Sequence, residues 1–170
     1  MKYLFISLVF LGVGISLYPD YPYRIGFIPK HSAININPDF KVCNNKYVVD
    51  YYNRSGFDNN DIPAGYIGGP KAIKKLLAKQ YPNLNLKNES GMLTIRFIIN
   101  CKGEIGRFEI LENDLNYQPK TFDPEVKEQL FNFTKDLKNW QANYLAGESR
   151  DCAMYLTYKL KNGKIIAILP

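Results

Sequence analysis

The chain has 170 residues, of which 46% are hydrophobic and 14% aromatic, and its formal charge is +6. This composition excludes an intrinsically disordered chain and leaves room for one ordinary domain with an appendage. The lysines are scattered and no aromatic–basic nucleic-acid signature is present, so we attribute the charge to solubility and expect no nucleic-acid partner.

The first 18 residues are typical of an export signal. A short charged start precedes an apolar, uncharged run at residues 3–18, with the small residues Gly14 and Ser16 near its end. The run is shorter than the roughly 20 residues of a spanning helix, which favours a cleaved signal peptide over an uncleaved membrane anchor. Under either alternative we expect the remainder of the chain to be exported.

Residues 19–67 are predicted to form a linker or extended N-terminal region. They are rich in Pro, Tyr, Asn and Asp, which favour turns and loops. The run KYVVDYY at 46–52 is β-prone and bounded by Asn, so it predicts one short strand.

Residues 68–170 carry the periodic patterns of a folded domain, beginning with a helix. Pro70 is favourable at a first helical position, and the helix should end at Tyr81, because the residue before a proline is pushed out of the α region. Its apolar stripe is Ile73, Leu76 and Leu77.

A β-hairpin is predicted over residues 91–111, with its turn at Cys101-Lys102-Gly103. The first strand places alternate apolar side chains on one face, namely Leu93, Ile95, Phe97 and Ile99. The return strand does the same with Gly106, Phe108 and Ile110. An isolated hairpin is marginally stable in water, so other elements must cover this face.

A second helix supplies the matching cover. Asp123 is placed to cap it, Pro124 is its first residue, and its pattern runs on to Trp140. The apolar positions recur at helical spacing over four turns: Val126, Leu130, Phe133, Leu137 and Trp140.

A third strand follows in CAMYLTYKL. It alternates with Met154, Leu156, Tyr158 and Leu160 on one face and Tyr155, Thr157 and Lys159 on the other. Asn162-Gly163 is a strong hairpin signal, after which KIIAILP forms either a fourth strand or a tail.

These elements predict an α+β fold in which two helices pack on a three- to four-stranded antiparallel or mixed sheet. The compact strand order is 2-1-3, which leaves the third strand, or the hairpin it begins, at an edge. The order also brings Cys101 near Cys152, so we hypothesise a disulfide between them with Cys43 unpaired. Three reduced thiols are the alternative.

The series of motifs resembles the C-terminal domain of the TonB family, in the form common among Bacteroidetes. The matching features, in order, are Gly68-Gly69, Tyr81-Pro82, Gly91 with its alternating strand, Gly103, Trp140, Gly147 and the last strand. The resemblance implies a TonB/TolA C-terminal-like fold and a periplasmic domain. The usual Trp-x-Pro-Ala of the family reads Trp140-Gln141-Ala142-Asn143 in this chain.

The resemblance further implies that an edge strand captures an N-terminal peptide of an outer-membrane transporter, in the service of energy-coupled transport. By position, the capture strand would comprise Met154, Tyr155, Leu156, Thr157, Tyr158, Lys159 and Leu160. The alternative is an exported adaptor that binds another envelope protein without energy transduction. No nucleophile motif, phosphate loop or metal-spaced cluster is visible, so we expect no enzyme activity, catalytic residue, metal or cofactor.

Overall fold

The computed structural model describes residues 39–43, 49–50, 62–82, 84–145 and 147–169. In this part of the chain the fold is α+β, with two helices packed against a five-stranded sheet and two additional two-stranded ladders. The elements are β1 (Val49–Asp50), β2 (Gly65–Tyr66), α1 (Gly69–Gln80), β3 (Gly91–Ile99), β4 (Ile105–Asn113), α2 (Pro124–Asp136), β5 (Trp140–Gln141), β6 (Asn143–Leu145), β7 (Glu148–Arg150), β8 (Cys152–Lys161) and β9 (Lys164–Leu169). The predicted signal or anchor at residues 1–18 lies outside the described residues.

The main sheet has β3 at its centre, between β4 and β8, and both neighbours are antiparallel to it. The predicted order of the three strands is therefore confirmed. The sheet has more strands than predicted, because β9 and β1 both pair with the far side of β8. The third strand is therefore not itself an edge strand, but within the described residues the hairpin that it begins, β8 with β9, lies at this edge, as the second alternative predicted.

The face of β3 predicted to be apolar forms the middle of the core. Leu93, Ile95, Phe97 and Ile99 are fully buried, and on β8 the core residues are Cys152, Met154, Leu156, Tyr158 and Leu160. The β3–β4 ladder is irregular between Arg96 and Ile98, where the backbone of Arg107 has a φ of 52°. Phe108 lies on the core face, with its ring centroid 5.8 Å from that of Phe97, whereas Gly106 beyond the bulge pairs with Ile98, which is not part of the core cluster. The predicted shared face of Gly106 and Phe108 is therefore wrong.

The two helices cover this face with the stripes that their spacing predicts. Buried positions are Ile73 and Leu77 on α1, and Val126, Leu130 and Phe133 on α2. The Asp123 side chain accepts a hydrogen bond from the Glu125 amide at 2.9 Å, so the predicted cap is confirmed.

The predicted extension of the second helix to Trp140 is wrong. The helix ends at Asp136, Leu137 has an extended backbone, and Asn139 has a φ of 68°. Trp140 instead begins β5, which pairs antiparallel with β2. Its ring is still buried, because β5 holds it against Phe97 at a centroid distance of 4.9 Å. Trp140 is thus buried at the position that helical spacing predicts, although it lies in a short strand and not in a fourth helical turn.

The hairpin turn uses glycine as predicted. Gly103 has a φ of 77°, and a Cβ atom there would lie 2.5 Å from the Trp140 carbonyl oxygen. Both the left-handed backbone and the close approach of β5 therefore require glycine at this turn.

The hypothesised Cys101–Cys152 disulfide is wrong, because Cys101 is bonded to Cys43. The ladder does place Ile99 opposite Cys152, as the strand order requires. However, the Cys152 side chain is fully buried within the core and is not disulfide-bonded, and its Sγ donates a hydrogen bond to the Ala153 carbonyl at 3.2 Å. Cys101 lies beyond the strand, in the turn, where the segment at 39–43 reaches it.

The described parts of the predicted linker lie against the domain. The two residues of β1 fall within the predicted strand at 46–52 and run parallel to the start of β8. The ring of Phe40 occupies the space above Gly106, where a Cβ atom would lie 2.4 Å from the ring. Together with the disulfide, these contacts fix parts of residues 39–66 to the sheet.

Candidate functional site

The outer side of β8, where the resemblance places the peptide-binding strand, is shared by two short partners. Residues 152–153 pair with β1, and residues 157–161 pair with β9, which returns after the turn at Asn162-Gly163. Of the predicted set, Met154, Tyr155 and Leu156 lie between these two ladders, and Thr157, Tyr158, Lys159 and Leu160 pair with β9. A peptide that adds along the whole predicted strand would therefore have to take the place of β9.

The predicted outward face of β8 is also more covered than expected. Thr157 is 8% exposed, and its hydroxyl lies 2.8 Å from that of Thr94 on β3. Tyr155 and Lys159 are half-buried. The two hydroxyls form a cross-strand contact between β8 and β3, so this face of β8 contributes to the stability of the sheet.

A small apolar cavity lies beside the middle of β8. Its volume is about 110 Å³, and its lining comprises Gly65, Tyr66, Gly69, Pro70, Ile73, Trp140, Met154, Tyr155 and Leu156. The Trp140 ring packs edge-on against Tyr66 with the centroids 5.2 Å apart. Among the described residues, the buried Trp140 Nε1 has no hydrogen-bond partner. An apolar side chain of an added strand would find complementary surface in this cavity.

The opposite edge of the sheet is β4. Within the described ranges, its outer side is paired at its last residues, where Asn113 forms a bridge with Pro119 and the Lys120 amide donates to the Glu112 carbonyl at 3.1 Å. Backbone groups alternate in direction along a strand, so the Glu112 carbonyl defines which residues face outward. Ile110, two residues earlier, must present its N–H and C=O away from β3.

A groove runs between this edge and α2. Its volume is about 360 Å³, and its lining comprises Ile110, Glu112, Pro124, Lys127, Glu128 and Phe131. The Phe131 ring packs edge-on against Phe108 at a centroid distance of 5.4 Å. Helical periodicity alone does not identify Phe131 as part of a site, because this residue falls outside the main apolar stripe of the helix. The signal available in the sequence was that Phe131 is a large apolar residue next to a stripe that already has its full set of apolar residues.

Ion pairs fix the start of α2 against the sheet and define one end of this groove. Lys127 contacts Glu112 at 3.2 Å, and Lys120 contacts both Glu89 and the Ser90 carbonyl. Burial acts to raise the pKa of Glu89, but hydrogen bonds from Lys120 and the Asp123 amide outweigh it and lower the pKa.

The Lys87 side chain and the Glu125 amide similarly lower the pKa of Asp123, the residue that caps α2. The ion pairs at this end of the groove therefore fix the start of α2, and the charged groups that form them are already paired with one another.

A buried aspartate organises the disulfide. Asp151 is fully buried, and its Oδ1 accepts hydrogen bonds from the Cys43 amide at 3.0 Å and the Cys101 amide at 3.1 Å. It therefore holds both half-cystines beside the start of β8. Sequence reasoning missed this role, because the position of Cys43 in space depends on contacts across more than 100 residues.

The described residues contain no group of three or more His, Cys, Asp or Glu side chains that could hold a metal ion. Within the same ranges, no helix has the length and apolar character needed to cross a membrane. No family model, curated protein or solved structure matches this chain.

Proposed function

We propose that this chain is an exported, periplasmic protein-interaction module with a TonB-like fold, which captures an N-terminal peptide of an outer-membrane transporter by strand addition. The observation that carries the proposal is the shared outer side of β8. A two-residue strand and the C-terminal hairpin strand close it, with an apolar cavity between them. An extended peptide could replace β9 and place a side chain in that cavity.

The pairing and exposure of β9 are consistent with a strand that a peptide can replace. Among the described residues, β9 pairs with one strand only, β8. Its Ile166 and Leu169 side chains are 48% and 45% exposed, while Ile168 is buried. An incoming strand would keep the backbone ladder of β8 satisfied, so exchange costs mainly the core contacts of Ile165 and Ile168.

The disulfide supports export. Disulfides persist in oxidising compartments such as the periplasm and are rare in the cytosol. The Cys43–Cys101 bond joins positions separated by 58 residues, one in the N-terminal region and one in the hairpin turn. A stable bond of this kind is expected in an envelope protein.

The same bond favours a second candidate, an adaptor without energy transduction. Residues 19–68 would extend to on the order of 170 Å if they were free. With Cys43 fixed to the sheet, residues 19–42 span at most about 80–85 Å. A shorter reach suits an adaptor that docks on another envelope protein near its own site of attachment.

A reversible lock on β9 tests capture at β8. Lys159 and Ala167 are directly opposite in the β8–β9 ladder, and Cα atoms of such pairs lie at a separation that a disulfide can bridge. The variant is Lys159→Cys with Ala167→Cys, and the probe is a fluorescein-labelled synthetic peptide copying the N-terminal extension of an outer-membrane transporter.

Fluorescence anisotropy should show loss of binding in the oxidised variant and full recovery on reduction. The two single-cysteine variants and the unmodified chain, each with and without reductant, separate the lock from effects on the native disulfide. Equal affinity in the locked and reduced forms would contradict capture by replacement of β9.

A further inference from the structure

We propose that the groove between β4 and α2 is a second binding site, for an extended peptide segment that has an apolar residue and a basic residue two positions from it. This site is at the opposite edge of the sheet from β8, and it does not depend on the function proposed above.

The backbone of β4 supplies the first part of the site. The outward Glu112 carbonyl already accepts the Lys120 amide, and strand alternation then directs the Ile110 N–H and C=O outward as well. In the described part of the chain, no hydrogen bond outside the β3 ladder engages these two groups. A segment lying alongside β4 can bond to both of them.

The side chains supply the second part. Ile110 and Phe131 are partly buried hydrophobic residues packed against the core, and each lines the groove. A strand added to β4 would direct every second side chain toward α2. One apolar side chain would thus contact Ile110 and Phe131 at the point where its own backbone bonds to Ile110.

The groove is too short for a second copy of the same edge. Pro119 and Lys120 already lie beside the last residues of β4. Two β4 strands paired antiparallel about Ile110 would place Phe108 of one copy opposite Glu112 of the other. That position is occupied by each copy's own Pro119–Lys120 segment, and a strand fixed within a folded domain cannot turn away from it, whereas the end residue of a short peptide can. A short, narrow segment fits where a second domain does not.

The charge of the groove favours a basic partner. Lys127 and Glu112 neutralise each other, whereas Glu128 is exposed and forms no ion pair within the described residues. Glu128 lies on the α2 wall, one turn before Phe131. A Lys or Arg side chain two residues from the apolar residue would lie on the same side of the added strand and face Glu128.

The first test uses the full chain, labelled with ¹⁵N, and the synthetic peptide acetyl-Lys-Thr-Ile-Thr-Lys-amide. Its sequence is symmetric, so one probe covers parallel and antiparallel addition. We expect chemical-shift changes at Ile110 and Phe131 and slower hydrogen exchange of the Ile110 amide. Replacing the central Ile by Ser should weaken binding on the order of tenfold, because the apolar contact is lost.

Charge reversal provides the matched test. Glu128→Lys should weaken binding of this peptide about two- to fivefold, the range expected for an exposed ion pair, and should favour acetyl-Glu-Thr-Ile-Thr-Glu-amide instead. Glu148→Lys on β7 makes the same charge change on an exposed side chain elsewhere and should leave both affinities unchanged. Equal effects of the two variants would overturn the proposal.

Three further outcomes would also overturn it. Sedimentation could reveal a dimer that Ile110→Lys dissociates, which would make a second copy the occupant. Exchange of the Ile110 amide could already be slow without peptide, which would make a segment of this chain the occupant. Finally, the oxidised Lys159→Cys/Ala167→Cys variant could lose this peptide, which would place its binding at β8. Retained binding in that variant supports the β4 site whether or not a transporter peptide binds at β8.

Discussion

The hydroxyl groups of Tyr158 and Thr134 form a hydrogen bond that joins β8 to α2 in the centre of the core. Because only one of the two hydroxyls can be the donor, removing one group should cost more stability than removing the other. The Thr134 hydroxyl donates to the Leu130 carbonyl at 2.8 Å, and its oxygen lies 2.8 Å from the Tyr158 hydroxyl. Since the Thr134 proton is already used, Tyr158 must be the donor between the two. Both side chains are fully buried, so no water can substitute for a lost partner.

Two substitutions should therefore differ in cost. Tyr158→Phe removes the donor and leaves no unpaired proton, so it should lower the free energy of unfolding by about 0.5–1.5 kcal/mol. Thr134→Val leaves the Tyr158 hydroxyl proton buried without an acceptor and should cost about 1–3 kcal/mol. In the double variant both groups are gone, and it should be more stable than Thr134→Val alone.

Urea unfolding of the four proteins, followed by circular dichroism, measures these differences as a double-mutant cycle. A cost for Thr134→Val no larger than that of Tyr158→Phe would refute the assigned donor. Additive costs in the double variant would refute the interaction itself.

Alkaline titration gives an independent check on the same group. Burial raises the pKa of Tyr158 above its ordinary value, although the hydrogen bond with Thr134 acts to lower it. A raised pKa stabilises the fold below the unfolded pKa of about 10, and that contribution is lost as pH rises toward the folded pKa. Stability should decline above pH ~10, and less so in Tyr158→Phe.

Three other predictions concern the disulfide, its buried aspartate and the ion pairs. Replacing Cys43 and Cys101 by Ala should cost about 4 kcal/mol in the chain-entropy account, because the closed loop spans 58 residues. An unchanged urea midpoint would contradict the pairing. Asp151→Ala should cost about 1.5–3 kcal/mol and Asp151→Asn less, since Asn retains the oxygen that accepts both cysteine amides. Equal costs would contradict that role. The Lys120 hydrogen bond lowers the pKa of Glu89 against the opposing effect of burial, so its stabilisation is present above the unfolded pKa and lost as pH falls through the folded pKa. Glu89→Gln should therefore reduce the acid dependence of unfolding, and an unchanged acid limb would argue against this pair.

Sequence periodicity predicted most of the helices and strands, because their apolar residues face one core. Pro70 and Asp123 gave the two helix starts, and the alternation in β3 and β8 gave the strand faces. The pattern failed at Trp140, where a left-handed Asn139 ends the helical region and a short strand supplies a buried ring at the expected spacing. Side-chain spacing alone does not distinguish these two backbones.

The candidate sites were less predictable, since they depend on which strands lie at the edges. Alternation identified β8 correctly, and Asn162-Gly163 indicated that a hairpin strand could return beside it, but no local pattern indicated that β1 would pair with the start of β8. Likewise, the choice of Cys43 as the partner of Cys101 depends on where the segment at 39–43 packs. Such contacts follow from the assembled sheet rather than from any local pattern.

Addition of a peptide strand to the outer side of β8 would be visible in an NMR spectrum of the complex. The full chain would be mixed with a ¹³C-labelled peptide copying the N-terminal extension of an outer-membrane transporter. Strand addition predicts backbone nuclear Overhauser contacts between the peptide and the strand from Met154 to Leu160, with loss of the contacts between β8 and β9. A bound peptide that leaves the β8–β9 contacts intact would contradict it.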